Sequence, residues 1–239
     1  MTEKTWRDIL DQTLELCGKQ IRLHRTAEGE RLPLVLYNGF DDEETNGVLA
    51  NLSDPCVLAI VTGISWELEL TPWPVSGIGK GIHGDGGAGE YLTCITDSMI
   101  PAIEAAAGMD PKRRILAGYS LAGLFAVWAA MNTDAFCAVC SASGSLWYPK
   151  LLDYAKAKKH PVNPAVQTAY FSVGDLEAKV KNQILNKVQE NTEEMEKRFA
   201  AQNVRTIFEI NPGNHYVDAG KRTARGISWC LKECQIGTD

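Results

Sequence analysis

The chain has 239 residues, 45% hydrophobic and 23% charged, with a formal net charge of −6. That length suits one large α/β domain with a sizeable core better than two small ones. The acidic balance, with no basic stripe on any predicted helix, argues against nucleic acid or an anionic membrane as partner.

The start, Met1-Thr2-Glu3-Lys4-Thr5-Trp6, lacks the apolar stretch of a signal peptide, and no run approaches about 18 consecutive apolar residues, so a cytoplasmic protein is expected. Residues 2–15 read as a brief helix or lead-in, and Leu16–Arg25 as a strand. Glu28-Gly29-Glu30 makes a turn before the apolar run 32–37, which ends in Asn38-Gly39. An acidic start followed by Val48, Leu49 and Leu52 predicts a helix over 41–52. Val57–Thr62 is continuously apolar and β-branched, as a strand covered on both faces should be. Residues 63–90 carry many Gly, Pro and Trp without helical period, which predicts one long loop.

A helix is expected over 90–107, a strand over 113–118, a strongly apolar helix over 121–131 and a buried strand over 135–142. After a short helix near 149–159 come a strand at 169–174 and a long amphipathic helix at 178–202 with Val180, Ile184, Val188, Met195 and Phe199 inward. A last strand at 204–210 and a helix at 220–233 close the chain. Strands alternating with helical crossovers predict a mainly parallel sheet with helices on both faces, in one domain.

The seven cysteines are Cys17, Cys56, Cys94, Cys137, Cys140, Cys230 and Cys234. An odd number spread through core elements favours reduced thiols over a disulfide framework. Cys137 and Cys140 have CxxC spacing, but in a strand they would face opposite ways, which suits neither redox pairing nor metal binding. Cys230 and Cys234 share a helix face without the further ligands of a zinc site. Gly77-Ile78-Gly79-Lys80-Gly81 is rejected as a phosphate loop, because neither Ser nor Thr follows Lys80 and no strand-to-helix context surrounds it.

The chemistry-bearing motif is Gly118-Tyr119-Ser120-Leu121-Ala122-Gly123. It departs from G-x-S-x-G by Ala122 in the second glycine position. A serine on a sharp strand-to-helix turn needs small neighbours, and Gly118, Ala122 and Gly123 meet that demand. Such a turn aims a helix N-terminus and the Leu121 N–H at a developing oxyanion. A serine hydroxyl needs a base. Of His24, His83, His160 and His215, the last follows the final strand and can reach the C-terminal edge of the sheet, where ligands of open α/β sheets bind. His24 and His160 read as structural or solvent-facing, whereas His83, in the Gly-rich loop, could touch substrate. In chain order the acid should lie between serine and histidine, after the penultimate strand. Asp175 and Glu177 both lie there, one to orient His215 and the other to cap the next helix, and Asp218 is a more distant third.

The stretches 70–74, Gly86-Gly87-Ala88-Gly89-Glu90-Tyr91-Leu92, 113–124, 141–148 and Asn211-Pro212-Gly213-Asn214-His215 resemble the putative esterase (esterase D-like) family of α/β-hydrolases. That family includes siderophore esterases, feruloyl esterases and S-formylglutathione hydrolases. The resemblance implies the α/β-hydrolase fold, Ser120 and His215 as nucleophile and base, and Glu177 rather than Asp175 as the acid. It implies an oxyanion hole pairing the Leu121 N–H with one at Gly39 or Phe40.

Trp66, Trp73, Trp147 and Tyr148 sit in loops expected at the same edge. Either they wall a substrate pocket, with Tyr119 beside the serine, or they pack the long loop onto the sheet. The expected reaction is acyl transfer from a small-molecule ester to water, with no metal or organic cofactor. An acyltransferase using the same residues, or a binding protein that keeps the fold without catalysis, are the rival readings.

Overall fold

Ten strands and eight α-helices occur among the described residues of the computed structural model, which are 12–29, 31–79, 82–111 and 113–234. The strands are β1 (Gln12–Leu16), β2 (Lys19–Arg25), β3 (Leu34–Asn38), β4 (Val57–Thr62), β5 (Pro74–Gly79), β6 (Ile82–Asp85), β7 (Arg114–Tyr119), β8 (Ala138–Ala142), β9 (Thr168–Gly174) and β10 (Arg205–Asn211). The helices are α1 (Asp42–Asn51), α2 (Trp66–Glu69), α3 (Ala88–Cys94), α4 (Ile100–Ala107), α5 (Ser120–Ala130), α6 (Leu151–Ala157), α7 (Val188–Ala200) and α8 (Ala219–Glu233). Eight strands form one sheet in the order β1-β2-β4-β3-β7-β8-β9-β10, parallel from β4 to β10, with β1 and β2 antiparallel at one side. This is the α/β-hydrolase arrangement that the sequence predicts.

The period of two decides which layer each strand residue feeds. Leu34, Leu36, Val57, Ala59, Leu116, Val139 and Phe171 pack under α3 to α5 and α7, whereas Val35, Tyr37, Leu58, Ile60, Ile115, Ala117 and Cys140 pack under α1 and α8. Both faces are therefore covered. Among the described residues no helix is long and apolar enough to cross a membrane.

Several local expectations are corrected. The segment Leu16–Arg25 is not one strand, because Cys17 and Gly18, with φ of 52° and 71°, turn β1 back onto β2 as a two-residue hairpin. Residues 1–11 of the expected lead-in lie outside the described residues, as do Glu30, Lys80 and Gly81. The loop at 63–90 contains α2 and the β5–β6 hairpin. The helix at 90–107 widens into a π turn over Ile95–Met99 before α4. Pro101, with no N–H to donate, sits just past that turn and favours such a break in pitch.

The helix expected over 178–202 begins only at Val188. Asn182 takes the backbone N–H groups of Ile184 and Leu185 at 2.9 and 3.2 Å and donates to the Ile78 carbonyl at 2.6 Å. An asparagine that bonds nearby backbone in this way competes with helix. Val180 is consequently exposed rather than inward.

Reduced thiols throughout are also corrected: Cys17 and Cys94 form a disulfide that ties the β1–β2 turn to the end of α3. Cys137 lies one residue ahead of β8, so strand alternation does not separate it from Cys140, and its sulfur is 3.7 Å from that of Cys234, just past the end of α8. Thiol titration in denaturant should therefore count five groups without reductant and seven after reduction. Cys94→Ser should lower unfolding stability by about 2–4 kcal/mol in denaturant titrations.

Candidate active site

Ser120 begins α5 directly after β7, with a φ of 55°. A non-glycine residue in that region stores on the order of 1–3 kcal/mol of strain. The turn is tight enough that a Cβ on Gly118 would lie 2.4 Å from the Ala122 Cβ. Glycine is thus required at 118, whereas the methyl of Ala122 is accommodated in full burial. The turn presents Ser120 Oγ at the C-terminal edge of the sheet, 3.0 Å from His215 Nε2. His215 Nδ1 lies 2.8 Å from Glu177 Oε2. An ionised carboxylate only accepts hydrogen bonds, so Nδ1 carries the proton and Nε2 is left as the acceptor facing the serine.

Glu177 is 7% exposed. Its Oε1 accepts from the Gly174 N–H at 2.6 Å and from Ser143 Oγ at 2.7 Å. Burial by itself raises its pKa, but the hydrogen bond and charge of His215, with the Ser143 and Gly174 donors, outweigh burial and hold it below the usual carboxylate range. Gly174 is also required for space, since a Cβ there would lie 2.3 Å from the Gly213 carbonyl oxygen. Asp175 does a different job: its Oδ1 accepts from the Gly213 N–H at 2.7 Å. Asp218 lines the cleft at the start of α8, and Glu177, not Asp218, bonds the imidazole.

The loop from Asn211 to His215 is held at every carbonyl. Asn211 O accepts from Asp175 N at 2.8 Å, Gly213 O from Leu176 N at 3.2 Å and His215 O from the Tyr119 hydroxyl at 2.8 Å. Pro212 O and Asn214 O accept from Arg222 at 2.7 and 3.1 Å.

Around Ser120 and His215 opens a cleft of about 700 Å³, walled by Phe40, Trp66, Tyr119 and Tyr216 and bordered by Glu43, Glu44, Asp218 and Lys221. The Phe40 and Trp66 rings meet edge-on at 4.9 Å. The hydroxyl of Tyr37 donates to Glu44 Oε1. Burial raises the Glu44 pKa above the usual carboxylate range, against the lowering effect of Tyr37 and of the Phe40 backbone N–H. The Gly39 N–H is committed to Val61 O at 3.0 Å, and the Phe40 N–H, beside the cleft, faces the Glu44 carboxylate.

Comparison with known proteins matches residues 65–220 to the family described as Putative esterase. The chain belongs to that family. It is a carboxylic ester hydrolase with the α/β-hydrolase fold. Siderophore hydrolase EstB from Aspergillus nidulans is 19% identical with a TM-score of 0.70, covering 91% of this chain and 92% of its own. An IroE-like serine hydrolase from Shewanella oneidensis is 17% identical with a TM-score of 0.74, covering 95% and 81%. The enterobactin esterase FES from Shigella flexneri is 16% identical with a TM-score of 0.71, covering 96% of this chain and 60% of its own. None of the curated proteins compared matches the chain in sequence.

In this esterase the expected aromatic walls are partly redistributed. Trp73, Trp147, Tyr148 and His83 are not among the described residues that line the cleft. Trp73 donates its indole N–H to Pro149 O at 2.9 Å, and the Tyr148 hydroxyl donates to Trp73 O at 2.6 Å. Trp147 packs beside Tyr148 on the core with the rings tilted at 40°, and His83 is half exposed 3.9 Å from Asp85. Trp73 and Tyr148 thereby fasten the long loop to the segment that follows β8. Phe40 and Tyr216, 61% and 89% exposed, stand at the cleft instead. Arg222 and Ser143 were not singled out by motif. A cation in the first turn of a helix, against its dipole, is the signal that could have flagged Arg222.

The lowered pKa of Glu177 sets a sign for stability. Its contribution is complete above the ordinary carboxylate pKa and is lost as pH falls through the lower folded-state value. Melting temperatures should therefore drop on acidification below about pH 4.3, and Glu177→Gln should flatten that part of the profile.

Proposed function

We propose that this esterase works through an acyl-enzyme on Ser120, with His215 as general base and acid and Glu177 as the residue that orients it. The observation that carries this reading is the unbroken chain Ser120 Oγ to His215 Nε2 at 3.0 Å and His215 Nδ1 to Glu177 Oε2 at 2.8 Å. Family membership and the strained serine turn support it.

As Ser120 Oγ attacks the ester carbonyl carbon, Nε2 takes its proton, and the imidazolium is stabilised by the Glu177 carboxylate. The negative oxygen that forms is received by the N–H of Leu121, at the N-terminus of α5, and by that of Phe40 once it exchanges the Glu44 carboxylate for the oxyanion. When the carbonyl re-forms, the alkoxide leaves with the proton from Nε2. Water then attacks the acyl carbon, giving its proton to Nε2, and the second collapse frees the acid and restores Ser120.

The substrate is a small-molecule ester that fits a cleft of about 700 Å³ between Phe40, Trp66 and Tyr216. Fold neighbours named as siderophore hydrolase and enterobactin esterase make siderophore esters the first class to assay.

Labelling with a fluorophosphonate probe should be complete in wild type and absent in Ser120→Ala, and turnover of short p-nitrophenyl esters should fall by about 10⁶-fold in that variant. Glu177→Gln should lose about 10⁴-fold in kcat, with Asp175→Asn far less affected. A wild type that neither labels nor hydrolyses, or equal losses at 175 and 177, would overturn the assignment.

A further inference from the structure

We infer that Arg222 is the positioning residue of this site, holding the His215 loop and the Glu177 carboxylate in one frame. The inference rests on the Ser120–His215–Glu177 reading above.

Arg222 lies in the first turn of α8, where a cation runs against the helix dipole, and it is 3% exposed. A guanidinium buried there needs compensation. Its Nη2 donates to Pro212 O at 2.7 Å. Its Nη1 is 3.1 Å from Asn214 O, 3.2 Å from the Tyr119 hydroxyl, and 3.4 Å from both Ser143 Oγ and Glu177 Oε1. These partners come from four elements: β7, the turn after β8, the turn after β9 and the loop after β10. The rigid planar fork of arginine can span two carbonyls and a carboxylate at once, which a lysine ammonium cannot.

Arg222 is not among the described residues that line the cleft where the ester would sit, and of its partners only Tyr119 is. Arg222 bonds the Glu177 oxygen that His215 does not use, and it bonds the two carbonyls that flank Gly213. Its action is thus indirect and has two separable parts. The fork fixes where the His215 ring stands. The charge, close behind the Glu177–His215 pair, opposes formation of the imidazolium. The other groups facing His215 are Glu177 itself, Tyr119 from β7, Ser120 from α5, Glu44 from α1 and Tyr216, with Asp218 and Lys221 bordering the same cleft. A substitution at Arg222 leaves the chemical identity of all of these groups unchanged.

The test compares wild type, Arg222→Met, Arg222→Lys and Ser120→Ala, using pH profiles of kcat and kcat/KM on a p-nitrophenyl ester and circular dichroism as the check on folding. Arg222→Met should lose about 10²-fold in kcat, the cost of misplacing a catalytic group by about 1 Å, with KM little changed. The acid limb of its kcat/KM profile should move to higher pH. Arg222→Lys keeps the charge and loses the fork, so its limb should return to the wild-type position while kcat stays depressed. If Arg222→Met does not fold, the lysine variant decides alone: a depressed kcat on an unshifted limb supports the inference. Wild-type kcat in either folded variant, or a lysine limb displaced like that of methionine, overturns it. Turnover that survives in Ser120→Ala would overturn this inference together with the proposed mechanism, and so marks a different failure.

Discussion

A carboxylate removed from water must be met by donors, and the Glu177 carboxylate is where the architecture of this esterase converges. One oxygen is used by the Gly174 N–H and the Ser143 hydroxyl, with the Arg222 cation behind them, while the other is left for His215. Burial opposes ionisation of this group, and the donors reverse that effect. Each donor in turn fixes a piece of chain. Gly174 ends β9 and cannot bear a side chain without striking the Gly213 carbonyl. Ser143 follows β8 with a positive φ, and Arg222 binds the first turn of α8 to the loop after β10.

This convergence explains how a histidine on a loop can be placed as firmly as a residue on a strand. Residues 212–215 lie beyond the last strand, yet each carbonyl from Asn211 to His215 has a donor, from Asp175, Arg222, Leu176 or Tyr119. Tyr119 links this clamp to Ser120, because it is the residue just before that serine and its hydroxyl holds His215 O. The strain at Ser120 is then borne between two rigid supports, the buried strand β7 and the fully apolar α5. A site held on rigid elements keeps its geometry without reorganising during the reaction.

Much of this was legible in the sequence, for physical reasons that differ by element. Continuous apolar runs such as Val57–Thr62 announce strands covered on both faces, and the serine turn announces itself by small residues between an apolar strand and an apolar helix. His215 could be chosen because it follows the last strand of a parallel sheet, whose C-terminal ends share one edge. Composition alone left Asp175 and Glu177 equivalent. Family resemblance preferred Glu177, and the geometry joins that residue to His215 while Asp175 holds Gly213. Contacts between distant segments were not legible: the Cys17–Cys94 bridge, the Asn182 hook onto Ile78, and the five partners of Arg222 all join residues that no local pattern relates. The aromatic residues show the same limit. A tryptophan in a loop reads alike whether it walls a cleft, as Trp66 does, or packs the loop down, as Trp73 and Trp147 do.

The central claim is that a buried carboxylate holds the proton of His215 Nδ1 and so frees Nε2 for Ser120. Proton NMR of the imidazole N–H groups tests it most directly, because an Nδ1 proton held against a carboxylate resonates far downfield of ordinary amides. Wild type and Ser120→Ala should show that line, and Glu177→Gln and His215→Ala should lose it while remaining folded. A wild-type spectrum without the line, or a line that survives in Glu177→Gln, would contradict the account.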